Sequence, residues 1–446
     1  MSDNNAARRK VLLASWIGTF VEYYDFALYG LFATTIANLF FPEIAPTAAL
    51  LSTFAVFAVG FVIRPLGAVA FGHLGDRIGR RPALIAAVML MSAGTVALGL
   101  LPSYSQIGIV APVLLLSCRL VQGFSAGGEY SGANIFMIEY VPPSRRGRYA
   151  SVAPLGTVLG FAFGALVAVV VTSATSDVQL ASWGWRVPFL IAAPLALIGM
   201  YLRLWVEESP VFAALDTEGA VESFPVIEAF KIAKRPMLIL AGYVMTNAVA
   251  FYLLSTFLTS HLTATGKFSA TGSLVVQVVA MLGLAAALVF AGYAVDIVGR
   301  KRLAVGAALG LGIWAVPTFA LIEHSSLFEA CLIVVVYSVL FSGISVTCSL
   351  AIVELFPARV RSSASALAYQ FSYALFGGTA PYVATWMVSG GHHFAPGYYL
   401  AGVCAVSAVA AAIGIGNREL TNDSSQSKPN PTEGKGLDER STRSPL

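Results

Sequence analysis

Gly72-His73-Leu74-Gly75-Asp76-Arg77-Ile78-Gly79-Arg80-Arg81 returns, at a constant offset of 220 residues, as Gly292-Tyr293-Ala294-Val295-Asp296-Ile297-Val298-Gly299-Arg300-Lys301. A second pair follows at an offset of 215, with Glu139-Tyr140-Val141-Pro142 and Arg146 in the first copy and Glu354-Leu355-Phe356-Pro357 and Arg361 in the second. Each copy stands behind a long apolar stretch, so the repeat divides the chain into two halves built to one plan.

Outward from the repeat the chain is 57% hydrophobic and 11% charged over its 446 residues, where a soluble domain carries roughly a quarter charged residues. That much apolar surface cannot be hidden from water by one globular chain. Windows of about 20 residues, enough helix for ~30 Å of hydrocarbon, mark twelve spans. They lie near 11–40, 50–72, 83–102, 108–138, 150–172, 187–206, 237–262, 272–295, 303–322, 328–353, 362–388 and 396–416. Lipid offers no partner to backbone N–H and C=O groups, so a span is a helix or part of a closed barrel. Unbroken apolar runs are not the alternating pattern of barrel strands.

The basic residues fall in alternate loops, with Arg8, Arg9 and Lys10 before the first span, Arg77, Arg80 and Arg81 after the second, and Arg145, Arg146 and Arg148 after the fourth. Lys and Arg concentrate on the cytoplasmic side of short loops, so both termini are expected in the cytoplasm of a multi-pass cell-membrane protein. The first span carries Glu22 and Asp25 and has no small-residue cleavage site, which reads as an uncleaved helix rather than a signal peptide. The expected organisation is a cytoplasmic N-terminus over 1–10, a six-helix bundle over 11–206 and a charged cytoplasmic linker over 207–236. A second bundle over 237–416 and a tail over 417–446, polar enough to be disordered, complete it. Cys118, Cys331, Cys348 and Cys404 all fall inside spans, with no CxxC pair and no histidine cluster, so neither a disulfide nor a metal site nor a cofactor is implied.

Charged side chains inside spans are the candidates for function, because at membrane depth they are costly and usually face a polar cavity. Glu22 and Asp25 are three residues apart, about 60° apart on one helix face, with Tyr29 on the same side. Either they carry a coupling proton or they pair structurally with an intramembrane arginine. Arg64 lies in the second span before Pro65. Arg119 lies in the fourth, with Gln122 and Glu129 on roughly the same face. Arginine stays protonated, so it holds a carboxylate from solute or protein rather than carrying the proton. Glu22, Asp25 and Glu129 are therefore the proton-coupling candidates, and Arg64, Arg119, Gln122 and Tyr29 the solute-binding ones. The alternative for Arg119 is permanent neutralisation of Glu129. The adjacent His392 and His393 read as a solvated loop, and Gly156, Gly160 and Gly164 as a close-packing helix face.

The loop Gly72–Arg81 resembles the loop between the second and third helices of the major facilitator superfamily, and Arg119-Leu120-Val121-Gln122-Gly123 resembles its fourth-helix motif. Gly18-Thr19-Phe20-Val21-Glu22-Tyr23-Tyr24-Asp25-Phe26, Arg64-Pro65-Leu66-Gly67 and Gln122-Gly123-Phe124-Ser125-Ala126-Gly127-Gly128-Glu129 look like the bacterial metabolite:proton symporters of that superfamily. The resemblance covers roughly 10–416. It implies an all-α membrane protein of twelve transmembrane helices in two pseudo-symmetric six-helix bundles, carrying solutes such as shikimate, 2-oxoglutarate, citrate, proline or betaine. It also implies that Asp76, Arg80 and Glu139, and in the second half Asp296, Arg300 and Glu354, gather at the cytoplasmic edge as a latch that closes and releases the halves. The osmosensing members carry a long coiled-coil tail, and this short tail without heptads argues against that role.

The reading is proton-coupled uptake of a small carboxylate-bearing or zwitterionic metabolite by alternating access, by a protein acting as a monomer in the lipid bilayer. Its partners are a small organic acid or zwitterion and H+, and no nucleic acid. A proton-driven exporter of lipophilic compounds is the rival within transport, disfavoured because 154–164 does not reproduce the antiporter motif of the fifth helix. A membrane enzyme would need a nucleophile and base or a metal cluster within the spans. A sensor that no longer transports would need a signalling domain.

Overall fold

The computed structural model describes residues 2–78, 80–127, 146–204, 231–356 and 361–416. Helix occupies the greater part of the described residues of each of the twelve expected spans, and no strand occurs among the described residues. Among the described residues seven helical stretches are long and apolar enough to cross a membrane, and an eighth is if the bent pair Asp177–Gly184 and Arg186–Tyr201 counts as one.

Some helices begin well before the hydropathy reading, while others stop short of it by about two residues. The first helix begins at Ser2 rather than at residue 11, and the helical segment opening the seventh span begins at Lys234 rather than at residue 237. Polar residues at the membrane edge keep their helical propensity, so hydropathy marks where hydrocarbon ends and not where the helix does. Local caps set other ends. Ser326 and Glu329 close a capping box at the start of the tenth span, with Ser326 N–H donating to Glu329 Oε2 at 2.7 Å. Ser269 accepts from the Gly272 N–H at 3.0 Å at the start of the eighth. Gly299, at φ +93°, makes the turn from the eighth span into the ninth, a conformation that a side chain would strain.

Several spans are broken rather than straight, among them the first, which is Ser2–Leu31 followed by Ala33–Phe40. The second is Pro46–Val62 followed by Arg64–Ile78. The seventh runs as Lys234–Tyr252, a π-helical turn Leu253–Phe257, and Leu258–Ala264. The eleventh has a similar π-helical turn over Tyr373–Gly377. Such single-turn widenings of an α-helix are frequently found at functional sites.

Within lipid, helices associate through close van der Waals packing rather than a hydrophobic drive, so small residues decide which helices touch. Gly156, Gly160 and Gly164 on the fifth span lie against Trp16, Phe20 and Ala27 on the first. The halves meet at two levels: Ser260 Oγ donates to the Gly30 carbonyl at 3.3 Å, and Gln370 Nε2 donates to the Gly127 carbonyl at 3.0 Å. Several polar side chains near these contacts are buried.

Candidate charge cluster and central cavity

Spans two and four cross closely because glycines face backbone at the crossing. A Cβ at Gly67 would overlap the Phe124 carbonyl, one at Gly123 the Gly60 carbonyl, and one at Gly127 the Arg64 carbonyl. This approach places two guanidiniums side by side, since Arg64 and Arg119 are each only 1% exposed and within electrostatic reach of one another. Like charges at that spacing need compensation. Part of it comes from ring faces: Arg64 Cζ lies 4.2 Å from the Phe26 ring and 4.1 Å from Phe61, and Arg119 Cζ lies 4.3 Å from Tyr29.

The rest comes from the first span, where Glu22 is 0% and Asp25 2% exposed. Asp25 sits beside Arg119 and the Thr95 hydroxyl. Thr95 spends its hydrogen bonds elsewhere: it donates to the Met91 carbonyl at 3.2 Å and accepts from Gln122 Nε2 at 2.6 Å. Gln122 in turn accepts from Arg119 Nη1 at 2.9 Å. Both Asp25 carboxylate oxygens, and Nε and Nη2 of both arginines, are thereby buried with no hydrogen-bond partner among the described residues. Buried polar groups are nearly always satisfied, so unsatisfied donors and acceptors facing one another mark a place built for a mobile partner. Tyr29 is held by donating to the Thr53 carbonyl at 3.1 Å, so its ring is fixed beneath Arg119.

A cavity lies next to this cluster, between the halves, lined by Tyr23, Thr157, Asn247, Phe251, Tyr369 and Tyr373 among others. Tyr23 is chain neighbour to Glu22, and Phe251 to Tyr252, whose hydroxyl is within reach of Arg64, Glu22 and Arg119. Asn247 Nδ2 donates to the Tyr373 hydroxyl at 2.8 Å, and the Tyr369 and Tyr373 rings stack at 4.4 Å. The cavity is thus aromatic with a few placed polar groups, the usual lining of a small-molecule site.

At the basic edge, Arg300 Nε lies 2.7 Å from Glu354 Oε2 and donates to Oε1 at 3.0 Å, a pair contained within the second half. Among the described residues an ion pair crosses between the halves from Arg148 to Asp296, at 3.9 Å, with Gly147 packed against the same carboxylate. Arg148 is half-exposed, so solvent screens this contact and it is weak. Glu129 and Glu139 lie outside the described residues, as do most of 207–236 and all of 417–446, and the side chains of Asp76 and Arg80 lie outside them too. His393 Nδ1 is 3.5 Å from Glu323 Oε1, and no group of three metal-ligating side chains occurs among the described residues.

The structure therefore brings Glu22, Asp25, Tyr29, Arg64, Arg119 and Gln122 into one cluster. Thr95 and Tyr252, which belong to it, escape sequence reading because a threonine and a tyrosine in an apolar stretch look like ordinary lipid-facing or packing residues. Asn247 carries a weak signal, as an amide inside a span.

Residues 10–228 match the family model described as sugar (and other) transporter, and residues 245–444 the one described as Major Facilitator Superfamily. The proline/betaine transporter of Escherichia coli K12 is 35% identical over 93% of the chain and 84% of that protein. The glycine betaine/proline/ectoine/pipecolic acid transporter OusA of Dickeya dadantii is 34% identical, with the same coverage. Among solved structures, the partially occluded inward-open form of the xylose transporter XylE from E. coli superimposes with a TM-score of 0.75 at 17% identity, over 91% of this chain and 97% of that one.

Proposed function

From a chain that belongs to the major facilitator superfamily and is therefore a membrane transporter rather than an enzyme, we infer proton-coupled uptake of a small zwitterionic carboxylate of the proline or betaine class. The observation that carries this reading is the buried cluster of two carboxylates and two guanidiniums, in which Asp25 and both arginines carry unsatisfied atoms. With both acids ionised the described cluster is neutral. Protonating Asp25 leaves one guanidinium without a counter-charge, and an uncompensated buried charge costs ~3–5 kcal/mol. A solute carboxylate on Arg119 or Arg64 restores balance through a charge-assisted, two-pronged hydrogen bond. Proton and solute therefore favour each other's binding, and the cluster is neutral only when it holds both or neither. That is the condition for symport, because the closed state is reached only by those two forms.

The cationic end of the solute would point toward the neighbouring cavity, which at about 20 Å³ has room for about a water and must widen to admit it. Aromatic faces attract ammonium groups, most strongly where water is excluded, and Tyr23, Phe251, Tyr369 and Tyr373 supply them. The names of the curated relatives support this class of solute. The Arg148–Asp296 contact then acts as part of the cytoplasmic latch, together with Asp76, Arg80 and Glu139 and the Arg300–Glu354 pair.

The test is uptake of radiolabelled glycine betaine and proline by proteoliposomes. Uptake is expected to rise as external pH falls from about 8 to about 6 and to be abolished by a protonophore. Equal rates with and without a proton gradient would sink the reading. The proposed orientation, with both termini cytoplasmic, predicts that Thr265→Cys and His392→Cys react with an impermeant thiol reagent added to intact cells while Ser223→Cys does not. Labelling of Ser223→Cys from outside would overturn it.

A further inference from the structure

Tyr252 belongs to the second half, yet its side chain is wedged into the first. It is fully buried, and its ring meets Phe57 and Phe61 of the second span edge-on, at centroid distances of 5.5 and 5.2 Å. It also contacts Phe161 of the fifth span and Tyr373 of the eleventh. Phe61 is itself one of the two rings against Arg64. The hydroxyl makes no well-formed hydrogen bond among the described residues, but it lies close enough to Arg64 to interact with its guanidinium directly and within electrostatic reach of Glu22 and Arg119. A buried phenol ordinarily finds a partner, so this one is aimed at groups whose charge changes during the cycle.

The position of Tyr252 along its span gives that contact a consequence. It is the last residue of the inner α-helical segment Lys234–Tyr252, and the π-helical turn Leu253–Phe257 begins at the next residue. Beyond the turn, the outer segment rests on the first span. Thr256 packs against Gly30 so tightly that a Cβ there would overlap it, and Ser260 Oγ donates to the Gly30 carbonyl at 3.3 Å. One side chain thus joins the charge cluster, the break in the seventh span and the segment closing the halves beside Gly30.

We propose that Tyr252 is a positioning residue, whose hydroxyl responds to the charge state of the cluster and whose ring transmits that state across the break to the outer segment of the seventh span. The groups facing it are Glu22 on the first span, Arg64 on the second, Arg119 on the fourth and Tyr373 on the eleventh, with Asp25 one step further, beside Arg119. When both acids are ionised, their charges balance those of the two guanidiniums and the hydroxyl stays beside Arg64. When one acid is protonated and a solute carboxylate takes its place on a guanidinium, the hydroxyl donates to the remaining carboxylate. The ring then holds the outer segment against the first span. The inference rests on the symport reading above and adds to it the residue by which the second half senses the first.

Tyr252→Phe keeps the ring and its edge-on contacts, so the fold is retained and only the hydroxyl is removed. Two assays on the full-length variant in proteoliposomes use radiolabelled glycine betaine: accumulation driven by an imposed pH gradient, and exchange at equal pH on both sides. The expected result is at least a fivefold loss of gradient-driven accumulation and a flattened pH profile between about 8 and 6, with exchange within about twofold of the parent. An unchanged pH profile overturns the inference, and so does an equal loss in both assays, which is what mere packing damage gives. If the parent protein itself shows no gradient-driven accumulation, the symport reading falls and takes this inference with it. A gradient-driven parent beside an indistinguishable Tyr252→Phe variant removes the inference alone.

Discussion

Asp25→Asn is expected to abolish accumulation against a gradient while leaving exchange of glycine betaine within about threefold of the parent. Asparagine is neutral at every pH, so the variant is fixed in the charge state of the protonated carboxyl. Arg119 beside it then stands permanently open to a solute carboxylate. Solute binding no longer requires a proton, and proton release no longer accompanies unloading. At one proton per solute, a pH difference of one unit sustains about tenfold accumulation in the parent, since tenfold corresponds to ~1.4 kcal/mol. In the variant the ratio falls to about one, and initial uptake becomes flat between about pH 8 and 6. Labelled uptake and counterflow in the same vesicles check both arms. Wild-type accumulation by Asp25→Asn removes Asp25 from the coupling role. The parallel variant Glu22→Gln then decides whether the neighbouring carboxylate holds it.

Arg119→Gln is expected to raise the KM for glycine betaine at least 100-fold. A charge-assisted two-pronged contact to a carboxylate is lost, and breaking a buried charge pair by removing one partner costs ~3–5 kcal/mol. The loss spreads beyond the solute. Arg119 also donates to Gln122 at 2.9 Å, which donates to Thr95 at 2.6 Å, so the hydroxyl beside Asp25 loses its support. Arg119→Lys is expected to recover a minor part of the affinity. An ammonium keeps the charge but not the planar fork, nor the stacking over Tyr29 and Phe57. Equilibrium binding to the purified variants separates affinity from turnover. A KM within threefold of the parent for Arg119→Gln assigns solute recognition to Arg64 or to the cavity instead.

Much of this architecture is legible one residue at a time. The repeated Gly-Asp-Gly-Arg loops, the apolar windows and the alternation of basic loops each report a local property, hydropathy or charge, that the membrane converts directly into structure. The candidate site is legible for a related reason. Glu22, Asp25, Arg64 and Arg119 are costly at membrane depth, so their presence in spans announces a polar purpose. Uncharged participants carry no such penalty. Thr95, Tyr252, Phe26 and Phe61 are as acceptable facing lipid or packing as they are around a guanidinium, and hydropathy assigns them nothing.

Composition and repetition by themselves determined that the chain forms two bundles of membrane-spanning helices and that charged side chains, Glu22, Asp25, Arg64 and Arg119 among them, lie within the spans. The tertiary structure decided that those four converge. The glycine contacts that let the second and fourth spans approach are measured between backbones more than 50 residues apart in sequence. It also decided that Arg148 pairs with Asp296 across the halves, while Arg300 and Glu354 stay within one. The placement of a second-half tyrosine inside a first-half charge cluster belongs to the same class of fact. Each depends on how one helix surface fits another, a relation between distant segments that no single window of sequence contains.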